Sequence, residues 1–553
     1  MNRPFRTLAL ASTAVAVLAL AGCSDEGSGF DISQQIGPDP VLPEPQSQLL
    51  PDLKVAPVIG WQEGETPTVA DGLAVTAYAN DLANPRTVHT LPNGDVLVVQ
   101  GKAPSGKPTE RPKDLIRGWI MAFASGSPSG GPPKESNLIT LLRDTDRDGT
   151  VDERHDLLTE INSPFGVAFA DNTLYVAAAD AILAYPYTLG QNQITDTPRV
   201  LTPLPGGPIN HHWTKDLALS PDGRFLYASV GSNSNAAERG MEAEKGRAAI
   251  WQVDRETGAA RIYASGLRNP NGLTIHPETG VLWTVVNERD ELGPNLVPDY
   301  MTSVQENAFY GWPYSYYGNH VDERVHPPRP DLVEQAIAPD YALSSHVAAL
   351  GMAFSMNSAM PEPYASGAFV GHRGSWNRTQ FNGYKVIYVP FENGMPTGQP
   401  VDVVTGFLDG DNARGRPVGV GIDGTGALLV ADDAGNTVWR IAPADGTVIP
   451  QPIATDASAP AAATAAAPPA GQPAPNAARG TTGGTTGRIA PAPTGAAPTG
   501  DTPPGVVTPA PAAGTPGTGA TDGGTVTQPA QPQIAPAVQP PAAVEDAAPP
   551  VAD

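Results

Sequence analysis

Residues 219–231 read LSPDGRFLYASVG: Ser220-Pro221-Asp222-Gly223 forms a turn signal, and Phe225 to Val230 follow as a short apolar run. Proline presets the turn backbone, aspartate caps nearby amides and glycine tolerates positive φ, so the phrase reads as a turn feeding a half-buried strand. It returns as LPNGDVLVVQ at 91–100, FADNTLYVAAAD at 169–180, IHPETGVLWTVVN at 275–287 and IDGTGALLVADD at 422–433, with a divergent copy in GAFVGHRGSWN at 367–377, about six in all. A four-stranded unit has two apolar faces and cannot bury both alone; repeated units pack radially and close into a ring. The expected fold is therefore all-β, a six-bladed β-propeller over residues 57–443, closed by pairing a strand around Ala74 to Tyr78 with one near Val438 to Ile441. The chain between Asn295 and Ala368 shows no long helical period and reads as an elaborated blade with surface loops. Its Phe309-Tyr310-Gly311-Trp312-Pro313-Tyr314 run reads as rim packing ahead of a sugar-stacking wall.

The flanks have other compositions. Arg3 and Arg6 precede an apolar run from Leu8 to Leu20, too short to span a bilayer comfortably, so residues 1–22 read as a cleaved export signal. That run ends in Leu20-Ala21-Gly22-Cys23, which resembles the bacterial lipobox. Cys23, the sole cysteine, is the expected lipid anchor, and no intrachain disulfide is available. Residues 23–56 read as a tether, and Ser24 suggests export to the periplasmic face of an outer membrane. Residues 444–553 are dominated by Ala, Pro, Thr and Gly and are expected to be disordered, because so little apolar area cannot offset chain entropy. A net charge of -24 argues against a nucleic-acid partner and against a basic membrane-binding surface, leaving attachment to the Cys23 lipid.

Propeller sites lie on loops at the mouth of the channel, so polar clusters just ahead of repeat strands are the candidates. One is Asn210-His211-His212-Trp213-Thr214-Lys215-Asp216, where a histidine can take a proton near neutral pH. Another is Gly266-Leu267-Arg268-Asn269-Pro270, in which Arg268 offers a fork of donors and Asn269 both a donor and an acceptor. The third is Arg414-Gly415-Arg416-Pro417, whose two cations suit an anion. Basic or titratable clusters at equivalent blade positions suggest one shared anionic ligand.

The blocks HHWTKDLALSPDGRFLYASVGS, GLRNPNGLTIHPETGVLWTVVNERDELG, FYGWPYSYYG, GHRGSWNR and RGRPVGV resemble the soluble glucose/sorbosone dehydrogenase family, sorbosone branch. The resemblance implies a propeller holding pyrroloquinoline quinone (PQQ) across its channel with Ca²⁺ at the quinone, and oxidation of a sugar or sugar aldehyde. His212 then stands as the general base, with His211 its rival. Arg268 and Asn269 stand as quinone contacts, Arg414 and Arg416 as partners for the cofactor's carboxylates, and Gln100 as a further cofactor-facing residue. The family's quinone-contacting lysine has no evident counterpart; either Arg373 or Arg378 substitutes for it or the contact is absent. Two departures are visible. Ser232 stands where glucose-oxidising relatives place an aspartate that orients the histidine. Where they hold Ca²⁺ on the carbonyls of a Gly-Pro pair, the run Asn287-Glu288-Arg289-Asp290-Glu291-Leu292-Gly293 suggests carboxylate ligands instead, Asp290 among them.

A separate metal signal is Asp144-Thr145-Asp146-Arg147-Asp148-Gly149-Thr150-Val151-Asp152, in which alternate carboxylates around a glycine turn resemble a calcium loop. Asp144, Asp146, Asp148, the Thr150 carbonyl and Asp152 are its expected ligands, although His155 stands where the closing glutamate would be. A structural Ca²⁺ is expected there. Two other functions fit a propeller. A Ca²⁺-dependent lactonase or hydrolase would need Glu, Asn and Asp ligands without the arginines, and a non-catalytic envelope-anchored binding propeller would need neither. The electron acceptor is not specified by the sequence.

Overall fold

The structure is a computed structural model that describes residues 30–46, 54–104 and 136–450. Residues 1–29, with the expected signal and Cys23, lie outside the described residues, as does the expected tail from residue 451. Six sheets form the ring. Blade 1 runs outward from the axis as Pro85–Thr90, Val96–Gln100, Leu138–Arg143 and Glu153–Leu158, and blade 2 as Val167–Ala170, Thr173–Ala177, Ala181–Pro186 and Arg199–Pro203. Blade 3 is Leu217–Leu219, Phe225–Val230, Ala249–Asp254 and Ala260–Ser265. Blade 4 is Pro270–Ile275, Leu282–Val286, Pro298–Ser303 and Tyr341–Ser345. Blade 5 is Ala349–Phe354, Gly367–His372, Lys385–Glu392 and Val401–Thr405. Blade 6 takes Pro417–Ile422, Leu428–Asp432 and Thr437–Pro443 from one end of the ring sequence and Leu73–Ala79 from the other.

That last pairing is the expected clasp, with Ala74 opposite Ala442, Val75 opposite Ile441 and Ala77 opposite Trp439. Each repeat of the sequence supplies the second strand of one blade, usually with the turn that leads into it. These strands are not half-buried as the alternation suggested, because Val96–Gln100, Leu282–Val286 and Leu428–Asp432 are buried along their whole length. The reason is radial packing. Leu97 and Val99 join the cluster between blades 1 and 2, while Val96 and Val98 join the cluster between blades 6 and 1. Likewise Leu428 and Val430 face blade 5, and Leu429 and Ala431 face blade 1. Period two thus distributes one strand over two interfaces, each as apolar as the other.

Near the axis there is room for little side chain. A Cβ on Gly419 would lie 2.4 Å from the Arg86 carbonyl oxygen, so this glycine lets the first strands of blades 6 and 1 touch. Blade 4 is the elaborated one: between its outer strands lie a ribbon of Ser315–Tyr316 with His320–Val321 and a helical turn, Pro330–Val333. Trp312 is buried and donates its indole N–H to Asn235 O at 2.9 Å, so the aromatic run packs the rim. No described helix is long and apolar enough to cross a membrane.

The described part of the stretch read as a tether is docked on the ring. Ile36–Gly37 adds a fifth strand to blade 4 beside Tyr341–Ser345, and Gln46 N donates to Leu292 O at 2.9 Å. Farther on, Thr68–Val69 adds a strand to blade 5 beside Val401–Thr405 before the chain enters the clasp.

Candidate active site

In every blade the first strand begins, and the second ends, on the same rim of the ring. Proline opens the first strand in blades 1, 4 and 6 (Pro85, Pro270 and Pro417), where a strand edge facing the axis needs no amide donor at that position. The residues just before these strands, and just after the second strands, therefore converge from around the ring.

His212 enters blade 3 and Asn269 enters blade 4. Gly231 sits between them: a Cβ there would meet Asn269 Oδ1 at 2.4 Å and His212 Cβ at 2.6 Å. The His212 Nδ1 lies 2.8 Å from Ser232 O and 3.0 Å from Ser232 Oγ. A carbonyl oxygen can only accept, so neutral His212 carries its proton on Nδ1 and its lone pair on Nε2. Asn269 Oδ1 is buried, and no hydrogen-bond partner reaches it among the described residues.

Across the ring, Arg86 Nη1 and Arg373 Nε both bond Asp433 Oδ2, at 2.8 and 2.7 Å. Arg416, 6 % exposed, lies beside them with its guanidinium 5.0 Å from the Tyr384 ring centre. Burial and then Arg373 push the pKa of the Arg416 guanidinium down; burial does the same to Arg86, opposed by Asp433. Asp433 answers in the other direction: burial raises its pKa, but Arg373 and Arg86 outweigh burial and hold it below the ordinary value. Among the described residues Asp433 Oδ1 is buried without a partner, and Asp432 behind it is bound by the indole N–H groups of Trp61 and Trp439. Three guanidiniums thus gather around Asp433, two of them bonding it, while Asp432 accepts only indole and backbone N–H donors, so the centre is cationic.

Other expected contacts point elsewhere. Gln100 is buried, with Oε1 accepting from Ala83 N at 2.5 Å and Nε2 donating to Thr140 Oγ1 at 2.6 Å, so both ends of its amide are spent inside blade 1. Arg414 bonds Asp409 Oδ2 at 3.0 Å and lies 3.4 Å from Glu65 Oε2. It leaves Arg416 because the chain bends there, the amides of Arg414 and Gly415 both donating to Phe407 O. Arg268 is buried at the rim, but its five N–H groups meet Asn235 O, Asn235 Oδ1, Asn287 O, Glu288 O and Asp290 Oδ2. It braces the loops that frame Asn269. Arg378 is likewise spent, on Pro294 O, Ser345 Oγ, Asn295 Oδ1 and Gln380 O.

The architecture agrees with what comparison finds. Residues 167–439 match the glucose/sorbosone dehydrogenase family. The aldose sugar dehydrogenase YliI of Escherichia coli is 24% identical over 185 residues, 31% of this chain and 48% of that protein, so the chain spans about half of that relative. Among solved structures, the holo PQQ domain of pyranose dehydrogenase from Coprinopsis cinerea superposes with a TM-score of 0.53 at 20% identity, covering 73% of this chain and 99% of that one. A calcium structure of a Trichoderma reesei carbohydrate-active enzyme of family AA12 gives a TM-score of 0.54 at 18% identity, covering 71% and 99%. At such identities these two structures establish the propeller. The dehydrogenase resemblance read from the motifs rests on the family match, which takes in His212, Arg268, Asn269, Arg373 and Arg416.

The expectation of a metal held by the run from Asn287 to Gly293 changes. Gly293 is followed by Pro294, so the Gly-Pro pair is present after all. Its carbonyls already accept protein donors: Gly293 O from His346 Nε2 at 3.2 Å and Leu296 N at 3.4 Å, Pro294 O from Arg378 Nη1. Asp290 is spent too, accepting from Arg268 and from Asn377 Nδ2 at 2.6 Å. These oxygens do not fit a metal ion in this arrangement. The acidic loop does better: one oxygen each of Asp144, Asp146 and Asp152 lies within 4.8 Å of the others. Asp148 is not in that group, and its Oδ1 accepts from Thr150 N at 2.7 Å. The loop joins the third and fourth strands of blade 1, on the rim opposite the arginines.

The sequence reading missed Arg86 and Asp433. A signal for Arg86 existed: Asn84-Pro85-Arg86 precedes a repeat as Asn269-Pro270-Asn271 and Arg416-Pro417-Val418 do, and aligning the three prolines brings it to the rim.

Proposed function

We propose that the chain is an exported, PQQ-dependent dehydrogenase that oxidises a sugar or sugar aldehyde at this rim. The observation that carries the reading is the surplus of guanidinium at Arg86, Arg373 and Arg416 on the same rim as His212 and as Asn269, whose buried Oδ1 has no partner among the described residues. A polycarboxylate quinone fits that donor set: the arginines would hold its carboxylates, and the Asn269 amide would supply a further polar contact.

When bound, the quinone supplies the two-electron acceptor for hydride. The chain supplies the proton chemistry. His212, turned by the Ser232 carbonyl, offers Nε2 to a substrate hydroxyl and takes its proton as the C–H bond breaks. Arg268 keeps the Asn235 and Asp290 loops in place without touching the reacting atoms. The calcium ion of the proposal belongs to the Asp144, Asp146 and Asp152 cluster, where it would tie a blade 1 hairpin and take no part in turnover. Cys23, as a lipid anchor in an outer membrane, completes the proposal for location.

The test is a calorimetric titration of the full chain with PQQ, followed by dye reduction with aldoses and sugar aldehydes. Saturable binding with turnover is expected. Absence of PQQ binding at micromolar concentrations sinks the reading and leaves a binding propeller.

A further inference from the structure

The docked N-terminal segment reaches the arginine cluster itself. Lys54 Nζ pairs with Asp411 at 2.8 Å and lies 4.6 Å from the Phe381 ring centre, while Lys54 N donates to Trp376 O at 3.1 Å. Next, Pro57 O accepts from Ala413 N and Ile59 N donates to Ala413 O, both at 2.8 Å, so the segment grips the chain three residues before Arg416. Ala56 is buried, and its carbonyl accepts from Arg416 Nη2 at 3.2 Å.

Trp61 then ties the far end. Its indole N–H donates to Asp432 Oδ2 at 2.7 Å, and its ring meets those of Trp439 and Phe407 edge-on at 5.2 and 5.7 Å. The other oxygen of that carboxylate, Oδ1, accepts from Arg416 N at 2.6 Å and Gly435 N at 2.8 Å. Glycine is needed on both sides of the carboxylate, since a Cβ at Gly415 or Gly435 would lie 2.0 or 2.1 Å from Asp432 Oδ2. Both the backbone and the guanidinium of Arg416 are therefore fixed by residues 54–61, directly or through Asp432.

We infer that residues 54–61 are a positioning strap for Arg416, with Trp61 as its key residue, and that the strap sets how tightly the site holds its anionic cofactor. An arginine has much rotamer freedom to lose on binding, and an arm already ordered by the strap loses less of it. The inference rests on the quinone reading above and adds a segment that lies outside the span matched to the dehydrogenase family.

The experiment is a calorimetric PQQ titration of four full-length proteins: the parent, Trp61→Phe, Arg416→Ala and the double variant. Phenylalanine keeps ring packing and loses the N–H. Trp61→Phe is expected to raise the PQQ Kd roughly tenfold, the scale of one hydrogen bond to a charged group, with kcat at saturating PQQ unchanged. In the Arg416→Ala background the same change should add less than about twofold, because the strap acts through that arginine. Lys54→Met, at the exposed end, should weaken binding in the same direction and guards against a folding defect at Trp61. A parental Kd in both single strap variants overturns the strap, as does a full tenfold effect of Trp61→Phe without Arg416. A parent that binds no PQQ overturns the quinone reading itself.

Discussion

His212 and Ser232 are joined twice, through the serine's carbonyl at 2.8 Å and its hydroxyl at 3.0 Å from the same imidazole nitrogen. The main chain, through the Ser232 carbonyl, therefore orients this imidazole. His212→Ala is expected to lower kcat by about 10²–10⁴-fold while PQQ still binds. Ser232→Ala keeps the carbonyl and should cost less than about tenfold, the weight of one neutral hydrogen bond. Stopped-flow reduction of the loaded protein would measure both; equal losses in the two variants would contradict the carbonyl's role.

The two arginines of the Arg414-Gly415-Arg416 motif should behave differently. Arg416→Ala, Arg373→Ala and Arg86→Ala are each expected to weaken PQQ binding by about 10–100-fold, since each removes charge-assisted contacts. Arg414→Ala removes a partner of Asp409 and Glu65 at the edge of blade 6 and should leave the titration unchanged. A loss at Arg414 equal to that at Arg416 would mean that the bend at Phe407 straightens in solution.

Asp433 is the counter-ion that makes three arginines tolerable. Asp433→Ala leaves Arg86 and Arg373 without their shared partner and should destabilise the ring by about 3–5 kcal/mol, read as a fall in the urea midpoint. Its pKa is held below the ordinary 3.8, so its stabilisation is present at neutral pH and is lost only as pH falls through that depressed value.

Asp299 gives the opposite slope. Burial pushes its pKa up from 3.8 to about 7, although Glu288 N and Ala348 N donate to it at 2.8 and 2.7 Å. Between those two values the folded chain holds a proton that the unfolded chain has released, so this group favours the folded state increasingly as pH falls from about 8 toward 4. The pH slope of Tm between 5.5 and 8 should flatten in Asp299→Asn. A slope identical to the parent's would remove Asp299 as its source.

Calcium is expected to raise Tm by binding the blade 1 hairpin, and a chelator to reverse the gain. Asp144→Asn should abolish the calcium response while PQQ affinity stays parental, because the loop lies on the rim away from the arginines.

The propeller and its clasp were legible because turn chemistry and period-two strands are local, and closing a ring requires a strand such as Ala74 to Tyr78 to pair with the last blade. The placement of His212, Asn269 and Arg416 on one rim was legible because each precedes a repeat strand. What sequence did not disclose is where a side chain spends its polar groups. Gln100 ends a strand at the right rim, yet its amide bonds Thr140 on the adjacent strand; Arg268 sits one residue before Asn269, yet its donors are saturated. Asp433 was hidden for another reason, since only ring closure brings blade 6 against Arg86.

That closure couples ligand to architecture. Arg86 belongs to blade 1 and Arg416 to blade 6, and these blades are neighbours only while Leu73–Ala79 stays zipped to Thr437–Pro443. An anion gripped from both sides is a second fastener across the seam where the first and last strands of the ring meet, so each unit of binding energy is also resistance to unzipping. The loaded protein should outlast the empty one under protease, with the first cut delayed at this junction.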